Sequence, residues 1–353
     1  MTRHFSIVIV FGIFCISVLF LYPRFIESIP ISHFGVFGAL KQEQKVPQKI
    51  LFVGDVMLAR AVEKRMYTHS FAYPYVGIRD FLEAFSSVIG NFEASIPKIH
   101  VPTPFMQFAF SVDKSIAKTL VSNGFTHMTL ANNHAHDFGL AGHENAKNVL
   151  EESGLKVAGS PSKVSFDEVL YAELDDLRIA VVPIYAVVSP PSYTEVRKTL
   201  EALASTSDMQ IAYVHWGDEY VLTNNTAQKK LAYFLIDSGA DAVIGHHPHV
   251  VQNISLYKDV PIFYSLGNFI FDQYWEENVK KGLAVGLQKE KGGVNYSLYP
   301  LYKADVGPSV MGAKERESFL VELAQRSDKA LTEGILKGSL VIPLAIPRRP
   351  AGE

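Results

Sequence analysis

Residues 49–60 read KILFVGDVMLAR. An unbroken apolar run ends in Gly54 and Asp55, and a helical pattern follows over Ala59–Thr68. That grammar, a buried strand closing on a small residue and a carboxylate before a helix, sets the reading of the rest. It recurs downstream. Strand-like runs cover SSVIGNFE (86–93), FTHMTLANNH (125–134), LRIAVVPIY (177–185), MQIAYVHWG (209–217), ADAVIGHHPHV (240–250) and VPIFYSLGNF (260–269). Helical patterns fall between them at 78–85, 111–123, 143–153, 195–204 and 227–238, with Ser111 expected to cap its helix. Strands alternating with helices imply stacked α/β layers. Later strand-like pieces at 282–288 and 295–301 imply antiparallel additions to a mixed sheet. Residues 306–353 are expected to form an extension with a helix around 314–325 and a Pro-rich end.

Composition narrows the class. The 353 residues are 48% apolar and 20% charged, with a formal net charge of −3. This excludes disorder, collagen and coiled coil as the main architecture, and no basic excess points to nucleic acid. The single Cys, Cys15, excludes an intrachain disulfide scaffold and a Cys-rich zinc site.

Residues 5–22, FSIVIVFGIFCISVLFLY, carry no charge. Such a run spans about one hydrocarbon thickness, roughly 27 Å as a helix. It is expected to be a transmembrane anchor, since Tyr22-Pro23-Arg24 offers no small-residue cleavage site. Residues 1–4 then form a short cytoplasmic N-terminus, 23–48 a stalk and 49–305 the main domain. The expected location is the cell membrane, single-pass, with the soluble domain outside the cytoplasm.

Metal-competent residues recur where the expected strands end: Asp55, Glu93, Asn133, His215, His247 and His249. In α/β sheets the strand C-termini share one edge, and ligands bind in the crevice there. Carboxylate, amide oxygen and imidazole donors suit Mn, Zn, Fe or Mg, so one or two divalent ions are expected, with Glu93 able to bridge a pair. Such a centre attracts anions and lowers the pKa of a bound water, which supplies a nucleophile. His134 follows Asn133 and is the candidate general acid, with Asp137 orienting its ring. His246 is read as supporting its neighbours, or as the ligand if the register slips by one. Asn132, Gly267 and Asn268 are assigned to loop shaping.

The blocks VGDVMLAR (53–60), GNFEASI (90–96), LANNHAHDFG (130–139), VHWGDEY (214–220), IGHHPHVVQ (244–252) and YSLGNFIFDQ (264–273) closely resemble the CapA family of capsule synthesis proteins. That family is linked to poly-gamma-glutamate and is similar in its core to calcineurin-type metallophosphoesterases. The resemblance implies a layered α/β/β/α metallophosphatase-like sandwich. By that pattern Asp55, Asn133, His215, His247 and His249 are metal ligands and His134 is the acid histidine. Two positions depart from it. Met57 stands where that superfamily has a histidine, and Glu93 where it has a bridging aspartate. Two functions follow. One is a membrane-anchored hydrolase of poly-gamma-glutamate capsule biosynthesis, acting on a phosphorylated or gamma-glutamyl species. The alternative is a non-catalytic polymer-binding or scaffold subunit of a synthesis and export complex. The expected partners are the membrane, an anionic polymer or phosphorylated small molecule, and capsule synthesis subunits.

Overall fold

The computed structural model describes residues 47–104 and 107–344. The chain first lays down four parallel strands: β1 (Lys49–Val56), β2 (Ser87–Phe92), β3 (His127–Thr129) and β4 (Lys156–Ala158). It then builds a second sheet from β5 (Leu170–Leu174), β6 (Leu177–Ala186), β7 (Met209–Trp216), β8 (Ala242–His246), β9 (Ile254–Tyr257) and β10 (Val260–Phe263), ordered β5-β6-β7-β8-β10-β9. Finally it returns to the first sheet. β11 (Asn268–Ile270) pairs with the end of β1, and β12 (Lys281–Glu290) runs antiparallel to β1. β13 (Gly293–Tyr302), β14 (Ser309–Val310) and β15 (Ser339–Pro343) complete that edge.

Alternation along the strands sorts the side chains into layers. Ile50 and Phe52 of β1 join Ile179 and Val181 of β6 and Ile211 and Tyr213 of β7 in a core between the two sheets. Leu51 and Val53 face the other way, into a core shared with Val62 and Met66 of helix α1 (Arg60–Thr68) and with Val149 and Leu150 of the helix Gly139–Glu152. Ala180, Val182, Ala212 and Val214 pack under the helices Tyr193–Leu203 and Thr226–Asp237. The result is an α/β/β/α sandwich.

Three sequence expectations need correction or completion. The helix expected from Ser111 begins later and is split into Lys114–Ala117 and Thr119–Ser122. Its cap is Asp113, which accepts from Ser115 N at 2.7 Å, while buried Ser111 directs its hydroxyl at His100 Nδ1, 2.7 Å away. Strands β5, β9 and β15 are not among the strand-like runs read from the sequence; they pair with β6, β10 and β13. β15 pairs with β13, and Phe319, Leu320 and Leu323 of the helix Ala313–Arg326 enter the inter-sheet core.

The third correction concerns the membrane. The run expected to span it, residues 5–22, lies outside the described residues, and among the described residues no helix is long and apolar enough to cross a membrane. Gly139–Glu152 and Ala313–Arg326 have 14 residues each. That gives about 21 Å of helix against a hydrocarbon core of about 30 Å. The transmembrane element of the fold, the anchored single-pass location and the membrane partner are therefore set aside.

Candidate metal centre

The centre sits at one open end of the inter-sheet core, where the parallel strands of both sheets finish. On β2, Ile89 lies in the inter-sheet core and Val88 and Phe92 in the other, so alternation turns Asn91 and Glu93 toward the second sheet. On β1 the register with β2 shifts between Phe52 and Asp55. The shift reverses the alternation: Val56 joins the outer core with Leu51 and Val53, and Asp55 faces inward. Gly54 permits this. A Cβ there would lie 1.8 Å from the carbonyl oxygen of Gly267, which accepts from Asp55 N at 3.3 Å. From the second sheet, His215 and His246 follow the inward parity of Tyr213 and Ile244.

Asp55, His215 and His246 form one buried group whose ligand atoms lie within 4.8 Å of one another. Asp55 Oδ1 accepts from Asn91 Nδ2 at 2.9 Å and lies 3.1 Å from His246 Nδ1. Its Oδ2 accepts from His247 N at 3.0 Å. Burial would raise this carboxyl, but His246, the charge of His249 and the Asn91 amide together hold it well below the ordinary carboxylate range. His215 Nε2 is 2.7 Å from Asn133 Oδ1. Because an amide oxygen only accepts, that nitrogen carries the proton, and the lone pair of His215 Nδ1 meets His246 Nδ1 at 2.8 Å, with Asp55 Oδ1 3.8 Å away.

Glu93, His247 and His249 form a second buried group within the same 4.8 Å limit. Glu93 Oε1 is 3.9 Å from His249 Nε2. The two groups adjoin: His249 Nδ1 is 3.8 Å from Asp55 Oδ2, and the rings of His215 and His247 are 4.6 Å apart. His247 and His249 flank Pro248 with φ of 98° and 59°. These are left-handed conformations that side-chain-bearing residues rarely adopt, and they cluster at functional sites. Asn268 sets the His249 ring. Its Nδ2 donates to Gln273 Oε1 and Val279 O, leaving Oδ1 to accept from His249 Nδ1 at 3.0 Å.

His134 stands on the far side of Glu93, with Nε2 3.8 Å from Glu93 Oε1 and Nδ1 2.8 Å from Asp137 Oδ2. Asp137 Oδ2 also accepts from Phe110 N at 2.7 Å, and the Phe110 ring stacks on His134 at 3.9 Å. The imidazole is thus fixed in tautomer and plane. Asn132 shapes the loop beneath, donating to Asn91 Oδ1 and Phe92 O and accepting from His134 N.

All eight residues singled out in the sequence meet at this end of the sandwich. His246 belongs fully to the Asp55 group, and Asn133 sits against His215. Sequence reasoning missed Asn91, whose amide anchors Asp55, and Arg60, whose charge acts on Glu93. The strand parity of 89, 91 and 93 was the signal for Asn91. Met57 takes no part, being fully buried in the outer core.

The donor set fits a divalent cation. Both oxygens of Glu93, Nε2 of His246 and Nδ1 of His247 are buried without a hydrogen-bond partner among the described residues. An unpaired buried carboxylate is costly; burial first, then the Asp55 charge, push the Glu93 carboxyl well above its ordinary value. Burial and neighbouring imidazoles hold His215 far below its usual range and His247 down to about 3. These two imidazoles are therefore held toward the neutral form that metal ligation requires. Two buried groups, each of one carboxylate and two imidazoles, make a metal-dependent, hydrolase-like site able to hold one or two divalent ions.

Comparison with known proteins supplies the family. The chain is 26% identical over 312 residues to a capsule biosynthesis protein CapA of Bacillus anthracis, covering 82% of this chain and 76% of that protein. It is 28% identical over 298 residues to the PGA biosynthesis protein CapA of Bacillus subtilis (strain 168), covering 79% and 78%. A crystal structure of a hypothetical protein from Thermus thermophilus covers 75% of this chain and 98% of its own, at 17% identity and a TM-score of 0.46. The profile of the family described as bacterial capsule synthesis protein PGA_cap matches residues 49–273, a stretch that holds every residue of the centre, and the chain belongs to that family.

Proposed function

We propose that this protein is a metal-dependent hydrolase of capsule-polymer metabolism, acting on a phosphorylated or gamma-glutamyl species. The observation that supports this most is the pair of unpartnered Glu93 oxygens, buried between His249 and His134. Asp55, His215 and His246 would hold one cation; Glu93, His247 and His249 would hold or share a second. A cation there polarises a phosphoryl or carbonyl oxygen and lowers the pKa of water. The chain's own groups do the rest. Asn133 Oδ1 holds the His215 ring through Nε2. Asp137 Oδ2 fixes the proton on His134 Nδ1, leaving Nε2 to carry the proton that the leaving group takes. Phe110 stacks on that ring and shields it from water.

The scaffold alternative draws on the missing histidine at Met57. That loss does not empty the Asp55 group, which keeps two imidazoles. The test is metal content and turnover of a chromogenic phosphate ester by the purified protein. Glu93→Ala should lose both. His134→Ala should keep its metal and lose turnover. A metal-replete wild type with no turnover of phosphate esters or gamma-glutamyl amides would remove the enzyme reading.

A further inference from the structure

Two histidines lie beside the metal centre without belonging to either of its ligand groups. His136 sits in the turn between His134 and Asp137, and His143 lies one turn into the helix Gly139–Glu152. Both are half-buried. Their rings stand perpendicular, with centroids 5.1 Å apart. Inside the metal centre the corresponding distances are 4.6 Å for His215 and His247, 4.8 Å for His215 and His246, and 5.7 Å for His247 and His249. The spacing has a simple origin. A tetrahedral ion held by two imidazoles at about 2.0–2.1 Å puts the ring centroids roughly 5 Å apart.

Each ring also has an unmet nitrogen. Nε2 of His136 and Nδ1 of His143 are buried and have no hydrogen-bond partner among the described residues. The pair therefore does not satisfy itself, and buried polar atoms in this state call for an occupant. Burial lowers the pKa of both imidazoles, and the His136 ring adds to the effect on His143. The neutral form leaves each ring a lone pair to offer. The surroundings suit a cation. Glu168 and Glu144 act on His143 in the direction that favours positive charge. Lys147, which opposes them, is itself paired with Glu168 Oε2 at 3.3 Å.

We infer that His136 and His143 form an accessory site for a borderline transition ion, the class of zinc, nickel and copper, bound through His136 Nε2 and His143 Nδ1. The three-ligand groups among the described residues are both in the metal centre, so the remaining coordination here falls to water. A donor set of imidazoles alone does not suit magnesium or manganese, which prefer oxygen. The ion clips the turn that carries His134 and Asp137 to the helix that follows it. Ser95 holds that turn from another side, its Oγ lying 2.9 and 2.8 Å from the carbonyl oxygens of His134 and Ala135. The inference goes beyond the hydrolase reading and does not depend on it.

The test counts ions. The full chain, stripped of metal with a chelator, is titrated calorimetrically with zinc and, separately, with manganese. His136→Gln, His143→Gln and the double variant should each bind one equivalent of zinc less than wild type. The double variant should lose no more than either single one, because both rings serve one ion. Manganese binding should be the same in all four proteins. An unchanged zinc count in either single variant would overturn the site. So would a parallel loss of manganese binding, which would place the effect in the metal centre. Turnover plays no part in this readout, so failure of the hydrolase reading would leave the result standing.

Discussion

Asn268 Oδ1 lies 3.0 Å from Nδ1 of His249, and the two donors of that amide are already engaged by Gln273 and Val279. The asparagine can therefore only accept from the histidine, and the opposite ring nitrogen is presented to Glu93. An outer hydrogen bond of this kind typically changes metal affinity by 10–100-fold. Asn268→Ala should weaken divalent-cation binding by about that factor with little change in far-ultraviolet circular dichroism. Competition with a fluorescent chelator measures it, and unchanged affinity would count against His249 as a ligand.

Glu93 gives a stability prediction with a definite sign. Its folded-state carboxyl is raised above 4.5, by burial first. A raised carboxyl contributes stability below its unfolded value that is lost as pH rises. In metal-free protein, Glu93→Gln should therefore be more stable than wild type at pH 7–8, by about 1–3 kcal/mol, and the difference should shrink toward pH 4. Denaturant unfolding at both pH values reads it. With metal restored, the order at pH 7 should reverse.

His247 works in the other direction. Its imidazole is held down to about 3, burial being the main cause, against an ordinary value near 6.5. The unfolded chain binds this proton first, so metal-free protein should lose stability as pH falls from about 6.5 toward 3. His247→Asn should flatten that limb of the profile. An unchanged acid limb would show that another group governs it.

Adding a divalent cation at about 100 times its dissociation constant should stabilise the fold by about 2.7 kcal/mol. For a domain of this size that is roughly 4 °C in melting temperature. Scanning calorimetry with and without chelator tests this; no shift with Mn, Zn, Fe or Mg would argue against the centre.

Gly54 carries the close approach of β1 to the segment before β11. An alanine there would place its Cβ 1.8 Å from Gly267 O, and neither backbone can yield without breaking the register that turns Asp55 inward. Gly54→Ala should cost about 3 kcal/mol or more and lower metal content together with the denaturation midpoint.

How much of this was legible beforehand depended on the kind of signal. The inter-sheet and outer cores follow from the apolar runs themselves, as in β1, where Ile50 and Phe52 separate cleanly from Leu51 and Val53. Strand-end position was enough to gather Asp55, Glu93, Asn133, His215, His247 and His249. Partnership was harder to read. Nothing in HHPH distinguishes His246 from His247 until the alternation of β8 is known. Arg60 belongs to a helix start in sequence and reaches the centre only through Asp272 and Phe110, which are far away along the chain. Ser111 failed as a cap because its hydroxyl is directed at the half-buried His100.

Each ligand group draws its carboxylate from the first sheet and its imidazoles from the second or the loop that follows β8. A cation seated there is a rivet through two plates. Chelation should let the plates slide against each other before either plate frays, so the amides bordering the seam would be the first to exchange with solvent while the strand ladders on both sides stay closed.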